Sequence, residues 1–515
     1  MEPYPGRMAT VEQSCGQTEC HWELIPILQN SLMYTVDGMI SVTRKVYDEK
    51  AAKSVDLPLD LRLSEQGADS YLRKLCVSCH LGTDRKSHLQ TLRDRGGGCA
   101  ACHLRSYRKI ERERLVWEED GLVKVFGPTH PTLDVSIPTD RCFGCHSRSG
   151  RISLNYIGWA EADRIDQSRK RDFGFLPDKR LVEKKQPDIH SVAGMACIDC
   201  HTANGVMGTG KRHARQQEQV DIQCIDCHFP EGDSQCKANC GSERPLASLK
   251  RREIIYLSLY AGKVPPPKGG NTFATLRHRT PLLHVQKEGE TIVMHTKLTR
   301  QKLEIPRIKR LYYHTMVGHA RLSCDSCHSG WAPQCYGCHV SFDPKGRQYD
   351  HLKGRETPGR WSETRWQVMA ELPALGVTGS NKIAPFIPGM HLTVEKGKGV
   401  APITKGLFSF TSPHTTQKQG RSCESCHQSD SALGIIEKWT VAPQNPAWKA
   451  PVGWVEEGSS SLGRATQPAA RSFTGEEMAK IRKVGICLEC HSGETAIFED
   501  YQRSLGSLSK LCRTE

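Results

Sequence analysis

Residues 324–339 read CDSCHSGWAPQCYGCH, two Cys-x-x-Cys-His motifs whose first cysteines, Cys324 and Cys335, stand eleven residues apart. The pattern recurs outward on both sides, as CVSCH at 76, CAACH at 99, CFGCH at 142, CIDCH at 197 and 224, CESCH at 423 and CLECH at 487. Nine occurrences are present, whereas random placement of the 23 cysteines and 22 histidines would give on the order of 0.04. A chain of 515 residues ordinarily builds several domains around apolar cores, yet only 37% of this one is apolar and it carries 45 glycines and 28 prolines. Such a composition approaches that of a loop-rich chain, so something other than side chains is expected to fill the interior.

The spacing has a chemical reason. On a helical turn residues i and i+3 share a face, so the two thiols of one motif can form thioethers to the two vinyl groups of one haem. The next residue's imidazole then reaches the iron. The attachment cysteines are therefore Cys76, Cys79, Cys99, Cys102, Cys142, Cys145, Cys197, Cys200, Cys224, Cys227, Cys324, Cys327, Cys335, Cys338, Cys423, Cys426, Cys487 and Cys490. The iron ligands beside them are His80, His103, His146, His201, His228, His328, His339, His427 and His491. Structural zinc, the bland alternative, pools two such pairs per metal and gives no reason for a histidine directly after every second cysteine.

Nine such motifs in one chain resemble the multihaem c-type cytochromes. Trp-Ala-Pro-Gln at Trp331 to Gln334, and Ser-Pro-His-Thr-Thr just before CESCH, resemble segments of the large respiratory members from bacteria and archaea. The resemblance covers the haem-bearing segments and is least informative between Glu243 and Arg310. It implies haem c at nine regular sites, and it bears on CGQTECH, where Cys15, Cys20 and His21 form a wider Cys-x4-Cys-His motif used by some small multihaem cytochromes. A local disulfide between Cys15 and Cys20 is the alternative. Cys236 and Cys240, with no following histidine, read as a small disulfide, and Cys512 as free or intermolecular.

Histidine supply separates kinds of cytochrome, because every haem iron needs a sixth ligand or an open site. Ten motif histidines leave twelve. His88, His130, His190, His213, His278, His314, His319, His391 and His414 are the candidates for the second axial position. His130, His190, His213 and His414 each stand shortly before a motif, and His314 and His319 precede the twin motif as a pair. His284 and His295 lie in LLHVQKEGETIVMHTKL, whose alternation around Glu288-Gly289 reads as a β-hairpin, and His351 follows an exposed-looking GRQYD. Those three rank lowest. The supply suits bis-histidine haems without calling on methionine, and the eleven-residue separation predicts that the haems of His328 and His339 are each other's nearest neighbours, with Trp331 either on a porphyrin face or a plain apolar plug.

The expected fold is mostly irregular with short helices, organised around stacked covalent haems, with small β-rich inserts. Residues 1–245 would form an N-terminal region of six haem sites, 246–313 a haem-free β-rich insert, and 314–515 a C-terminal region of four sites. The last motif follows a better helix, with Thr474 and Glu477 as a capping box after Phe473.

A formal charge of +14 would elsewhere suggest nucleic acid. Ten haems would bring roughly twenty propionate charges, and about ten ferric centres when oxidised, which leaves roughly +4 oxidised and −6 reduced. The basic surplus then serves propionates, and no nucleic-acid partner is expected. No stretch has the length of a transmembrane helix, and MEPYPGRMAT lacks the apolar core of a secretion signal. The resemblance nevertheless implies haem attachment outside the cytoplasmic membrane, hence a periplasmic or extracellular protein. Two functions stay open. One is an electron conduit working with other redox proteins, membrane-complex subunits, an extracellular acceptor or copies of itself; the other is an oxidoreductase with one open haem acting on a small nitrogen or sulfur compound. No Cys-x-x-Cys-Lys occurs, so the Cys15 motif is the irregular site where catalysis would be sought.

Overall fold

The structure, a computed structural model, describes residues 6–18, 21–47, 67–83, 96–103, 134–148, 151–231, 242–250, 253–254, 271–309, 311–395, 399–435, 464–465, 467, 469–491 and 498. Cys20, His88, His130, Cys236, Cys240 and Cys512 fall outside them, as do the side chains of Cys335 and His391. The chain forms two compact units built from alternating pieces. One comprises Met1–Ser149, Ala193–Arg307 and Phe342–Trp361; the other comprises Gly150–Val192, Ile308–Ser341 and Ser362–Glu515. The three consecutive regions expected from the motifs do not coincide with this division, because the motif-poor stretch shares a unit with the motifs before it.

Helices are short, as a chain punctuated by glycine, proline and cysteine turns requires. Among the described residues the longest is Gly475–Cys487, at 13 residues. Its start is fixed by a reciprocal cap: Glu477 N donates to Thr474 Oγ1 at 3.2 Å and Thr474 N donates to Glu477 Oε2 at 2.8 Å, a pairing worth about 1 kcal/mol. Phe473 and Met478 then enter a core with Leu375, Val377, Ile383, Phe386 and Leu433, which seats the helix and the motif at its end.

Strands are numbered in chain order. β1 (Trp159–Glu161), β2 (Phe173–Phe175) and β3 (Leu181–Lys184) make a small antiparallel sheet in the order β1-β3-β2. β4 (Ser242–Pro245) pairs with β5 (Asn271–Ala274). β6 (Val285–Glu288) and β7 (Thr291–His295) form a hairpin closed by Gly289-Glu290, and β8 (Lys302–Ile305) completes that sheet. Its buried face, Val285, Ile292, Met294 and Ile305, packs with Phe229 and Phe273 beside Cys227 of the 224 motif.

Residues 332–410, where haem turns and irregular chain were expected, carry a larger sheet instead. β9 (Ala332–Asp350) and β10 (Arg355–Glu371) are 19 and 17 residues long, and β11 (Ala374–Val377), β12 (Ile383–Glu395), β13 (Ile403–Phe410) and β14 (Arg464–Ala465) complete it. The order is β10-β9-β12-β13-β14, with β11 also on β12. Ala374, Leu375 and Val377 are all buried, and Phe386 is fully so, which explains why this motif-poor stretch builds a conventional apolar core. β12 carries two motif-bearing segments. Its Ile383 carbonyl accepts from Ser323 N at 2.8 Å and from Ser326 Oγ at 2.8 Å, and its Leu392 and Thr393 stand in parallel register with Cys338 and His339.

The run Gly96-Gly97-Gly98 before Cys99 is required conformationally. All three have positive φ, at 67°, 89° and 57°, and a Cβ on Gly98 would stand 1.9 Å from the Gly6 carbonyl oxygen. The turn ties two motifs together: Gly97 N donates to Thr83 O at 2.7 Å, Gly98 N to Leu81 O at 3.0 Å and Cys99 N to Gly6 O at 2.8 Å.

Candidate functional site

Most of the motifs share one local geometry. The histidine N–H donates to the carbonyl of the motif's first cysteine in the motifs at 99, 197, 224, 423 and 487, at 3.0, 2.9, 2.8, 2.8 and 3.0 Å. This closes one turn and brings both cysteines and the histidine to adjoining positions. His146 ends the helix Asp140–His146, and Cys324–His328 is itself a helix. In both CIDCH copies the aspartate returns to cap its own turn: Asp199 Oδ2 accepts from Ala196 N at 2.7 Å, and Asp226 Oδ2 from Gln223 N at 2.7 Å. Burial pushes both carboxyls upward, partly offset by these donors. In the wider motif, too, the histidine N–H reaches the first cysteine, His21 N donating to Cys15 O at 3.1 Å.

The motif at 335 departs from the helical turn that the spacing predicts. It lies within β9, and β12 supplies the reason, because ladder pairing of Leu392 with Cys338 and of Thr393 with His339 holds this segment extended. His339 Nε2 stands 3.1 Å from Glu395 Oε1.

The turn-held histidines are anchored through Nδ1 to backbone carbonyls: His103 to Asp134 at 2.9 Å, His228 to Pro306 at 2.9 Å, His328 to Gln417 at 3.0 Å and His427 to Ile481 at 2.9 Å. A donor on Nδ1 fixes the tautomer that leaves Nε2 as the ligating nitrogen, the habit of metal-bound imidazoles. His80 differs, its Nδ1 accepting from Gly82 N at 3.1 Å. Burial lowers the pKa of His427, which favours the neutral form a metal needs.

The candidate second ligands divide. His314 and His319 are anchored in the same way, Nδ1 to Lys309 O at 2.8 Å and to Tyr313 O at 3.1 Å. His314 faces His328 with ring centres 6.4 Å apart, and His319 faces His427 at 6.2 Å with planes 22° apart. Metal–nitrogen bonds of about 2 Å on either side, plus roughly 1.1 Å from nitrogen to ring centre, put two axial imidazoles about 6.3 Å apart. Among the described residues no Nε2 of these four rings has a hydrogen-bond partner. His213 and His278 also face each other, at 6.0 Å, but neither belongs to a motif, and their Nε2 atoms are held by Thr209 Oγ1 at 3.3 Å and Glu218 O at 3.1 Å.

His190 Nδ1 is 2.8 Å from Asp188 Oδ1, and His414, at φ 58°, has its Nδ1 3.0 Å from Ser412 O. His391 pairs in β12 with Gly406. Of the low-ranked three, His284 is buried with Nε2 2.8 Å from Asp199 O, His295 Nε2 lies 3.8 Å from Glu288 Oε1, and the His351 ring packs edge-on to Tyr349.

Thiols of different motifs come together. Contact with Cys15 raises the pKa of Cys99, contact with Cys197 that of Cys142 and contact with Cys79 that of Cys145, burial adding to each. Burial chiefly brings Cys327 to about 11, with Cys426 adding, and Cys227 to about 12, with Asp226 adding. Among the described residues no cysteine is in a disulfide, and no three His, Cys, Asp or Glu side chains converge as a closed zinc site would demand.

Six of the twelve exposed large apolar residues among those described stand beside motifs or candidate ligands. Trp22 follows His21; Ile189 and Val192 flank His190; Tyr313 and Val317 flank His314 and His319; Ile486 precedes Cys487; and all are exposed. Trp331 is buried, its Nε1 donating to Gln186 O at 2.9 Å, as an apolar plug with one satisfied polar atom would be.

Sequence reasoning missed several participants. Lys297 is half-buried with Nζ 2.5 Å from Ile198 O, near Cys200 and Cys227; desolvation lowers its pKa and Asp199 opposes the shift. No motif marks it. The capping roles of Asp199 and Asp226 were missed as well, although an acid at the third residue of each turn is the signal that could have found them. No protein-family model, characterised protein or solved structure matches the chain.

Proposed function

We propose that the chain is a multihaem c-type cytochrome of the periplasm or cell exterior that passes electrons along covalently held haems. The observation that carries this reading is the pairing of a motif histidine with a non-motif histidine, twice, at the separation of two axial ligands with Nδ1 turned to a carbonyl. Haem c, when bound, supplies a one-electron iron couple. The chain's own residues would do the remainder: paired thiols would fix each haem, imidazoles anchored through Nδ1 would hold its iron, and exposed apolar residues beside the histidines would supply surface against it. The His21–Cys15 hydrogen bond supports a tenth site of the same kind as the nine regular ones.

Conduction is favoured over catalysis by the approach of thiols from separate motifs, Cys15 to Cys99, and Cys79 and Cys197 to the two cysteines of the motif at 142, which would set haems of those motifs close together. Partners would be other redox proteins or copies of the chain. Among the described residues no helix is long and apolar enough to cross a membrane.

Intact mass with a pyridine haemochrome assay tests the cofactor, and ferric EPR tests the role. Ten haems, all low-spin, with no carbon monoxide binding on reduction, is the expected result. A polypeptide of unmodified mass would overturn the haem reading, and one persistent high-spin centre would transfer the function to the oxidoreductase.

A further inference from the structure

We infer that His319 is the axial partner of His427, on the haem of Cys423 and Cys426, and not a ligand of the twin motif that it precedes, so that the motifs at 324 and 423 carry neighbouring haems. The inference rests on the haem reading above and adds to it a ligand assignment and an order.

Sequence proximity alone would give His314 and His319 to the two motifs that follow. The structure separates them. The His314 ring faces that of His328 and the His319 ring that of His427, at 6.4 and 6.2 Å. Each of the four rings has its Nδ1 on a different carbonyl, at Lys309, Gln417, Tyr313 and Ile481, so both pairs are oriented from four separate places in the unit. The His213–His278 pair shows what an ordinary contact between histidines looks like here: similar spacing, but with both Nε2 atoms occupied by protein oxygens. His339 Nε2 lies 3.1 Å from Glu395 Oε1.

The strap from Gln417 to Arg421 draws the two motifs together. Gln417 N donates to His328 O at 2.7 Å and Arg421 N donates to Cys327 O at 2.7 Å. The same Arg421 reaches into the 423 motif, its Nε donating to Ser425 Oγ at 3.1 Å and its Nη2 to Ser425 O at 2.7 Å. Five residues separate His314 from His319, so irons ligated by both cannot be far apart. The pairing therefore replaces the 328/339 haem pair expected from spacing with a 328/427 pair.

The test is a set of variants read by EPR at unchanged protein concentration. His319→Ala should convert one ferric centre per chain to high spin, and added imidazole should restore the low-spin signal. In a Cys423→Ala/Cys426→Ala background, which lacks that haem, His319→Ala should create no further high-spin centre; in a Cys335→Ala/Cys338→Ala background it still should. The opposite dependence on background, or no high-spin centre from His319→Ala at all, overturns the assignment. Unaltered protein without covalent haem mass would instead remove the reading beneath it. Should the variants not fold, a structure of the unaltered protein resolving iron–nitrogen bonds decides: any residue other than His319 opposite His427 overturns the inference.

Discussion

The two halves of CDSCHSGWAPQCYGCH share a five-residue pattern and take opposite backbones. Cys324–His328 is a helix, with His328 anchored through Nδ1 to Gln417 and its ring facing His314. Cys335 to His339 lies in a 19-residue strand, in ladder register with β12. The difference teaches that the motif specifies which atoms can react, while neighbours decide the backbone that presents them. A lone turn is free to close on itself; a segment offered a strand partner with buried Val340 and Val394 on either side follows the sheet.

Both segments nevertheless lean on β12, one through the Ile383 carbonyl and one through the Leu392–Glu395 ladder. Phe386, fully buried between these points, is the common support, and Phe386→Ala should cost about 3 to 5 kcal/mol. Haem stain on peptides from both motifs should fall together; loss from one alone would break the idea of a shared support. Val340→Ala is narrower. It should cost about 2 kcal/mol and lower occupancy of the strand-held motif while sparing Cys324 and Cys327, as measured by peptide mass. Equal loss at both would show that the two motifs are not separately held.

The smallest effect concerns acid. Arg471 chiefly, with Thr474 N and Arg321, depresses the Glu477 carboxyl from 4.5 to about 2. A depressed folded value means stabilisation fully present above about pH 4.5 and lost as pH falls toward about 2. Thermal unfolding followed over that window should show the helix that supplies the Ile481 carbonyl to His427 weakening, and Glu477→Gln should flatten the dependence. An unchanged profile in that variant would place the acid sensitivity elsewhere.

Much of the local structure was legible. Thr474 and Glu477 announced the cap, the alternation about Glu288-Gly289 announced the hairpin, and the motif spacing announced the helical turns. The sheet from Ala332 to Phe410 was not legible, because a cysteine motif at its start masked a strand and because strands as long as β9 and β10 carry no simple alternation in this sequence. Partner choice among histidines was equally hidden. Nothing local to His319 distinguishes His427 from His339; only the carbonyls of Tyr313 and Ile481, brought together by the fold, do so.

The alternating pieces of the two units bear on the order of events during synthesis. Residues 342–361 belong with the unit begun at the N-terminus, and residues 150–192 with the other. A chain emerging from its N-terminus at about 5 to 20 residues per second therefore completes neither unit early, and the first waits for a segment made long after its start. Contacts of such high sequence separation fold slowly. It also follows that no single cut of the gene separates the two units: a truncation that keeps one unit whole must carry part of the other.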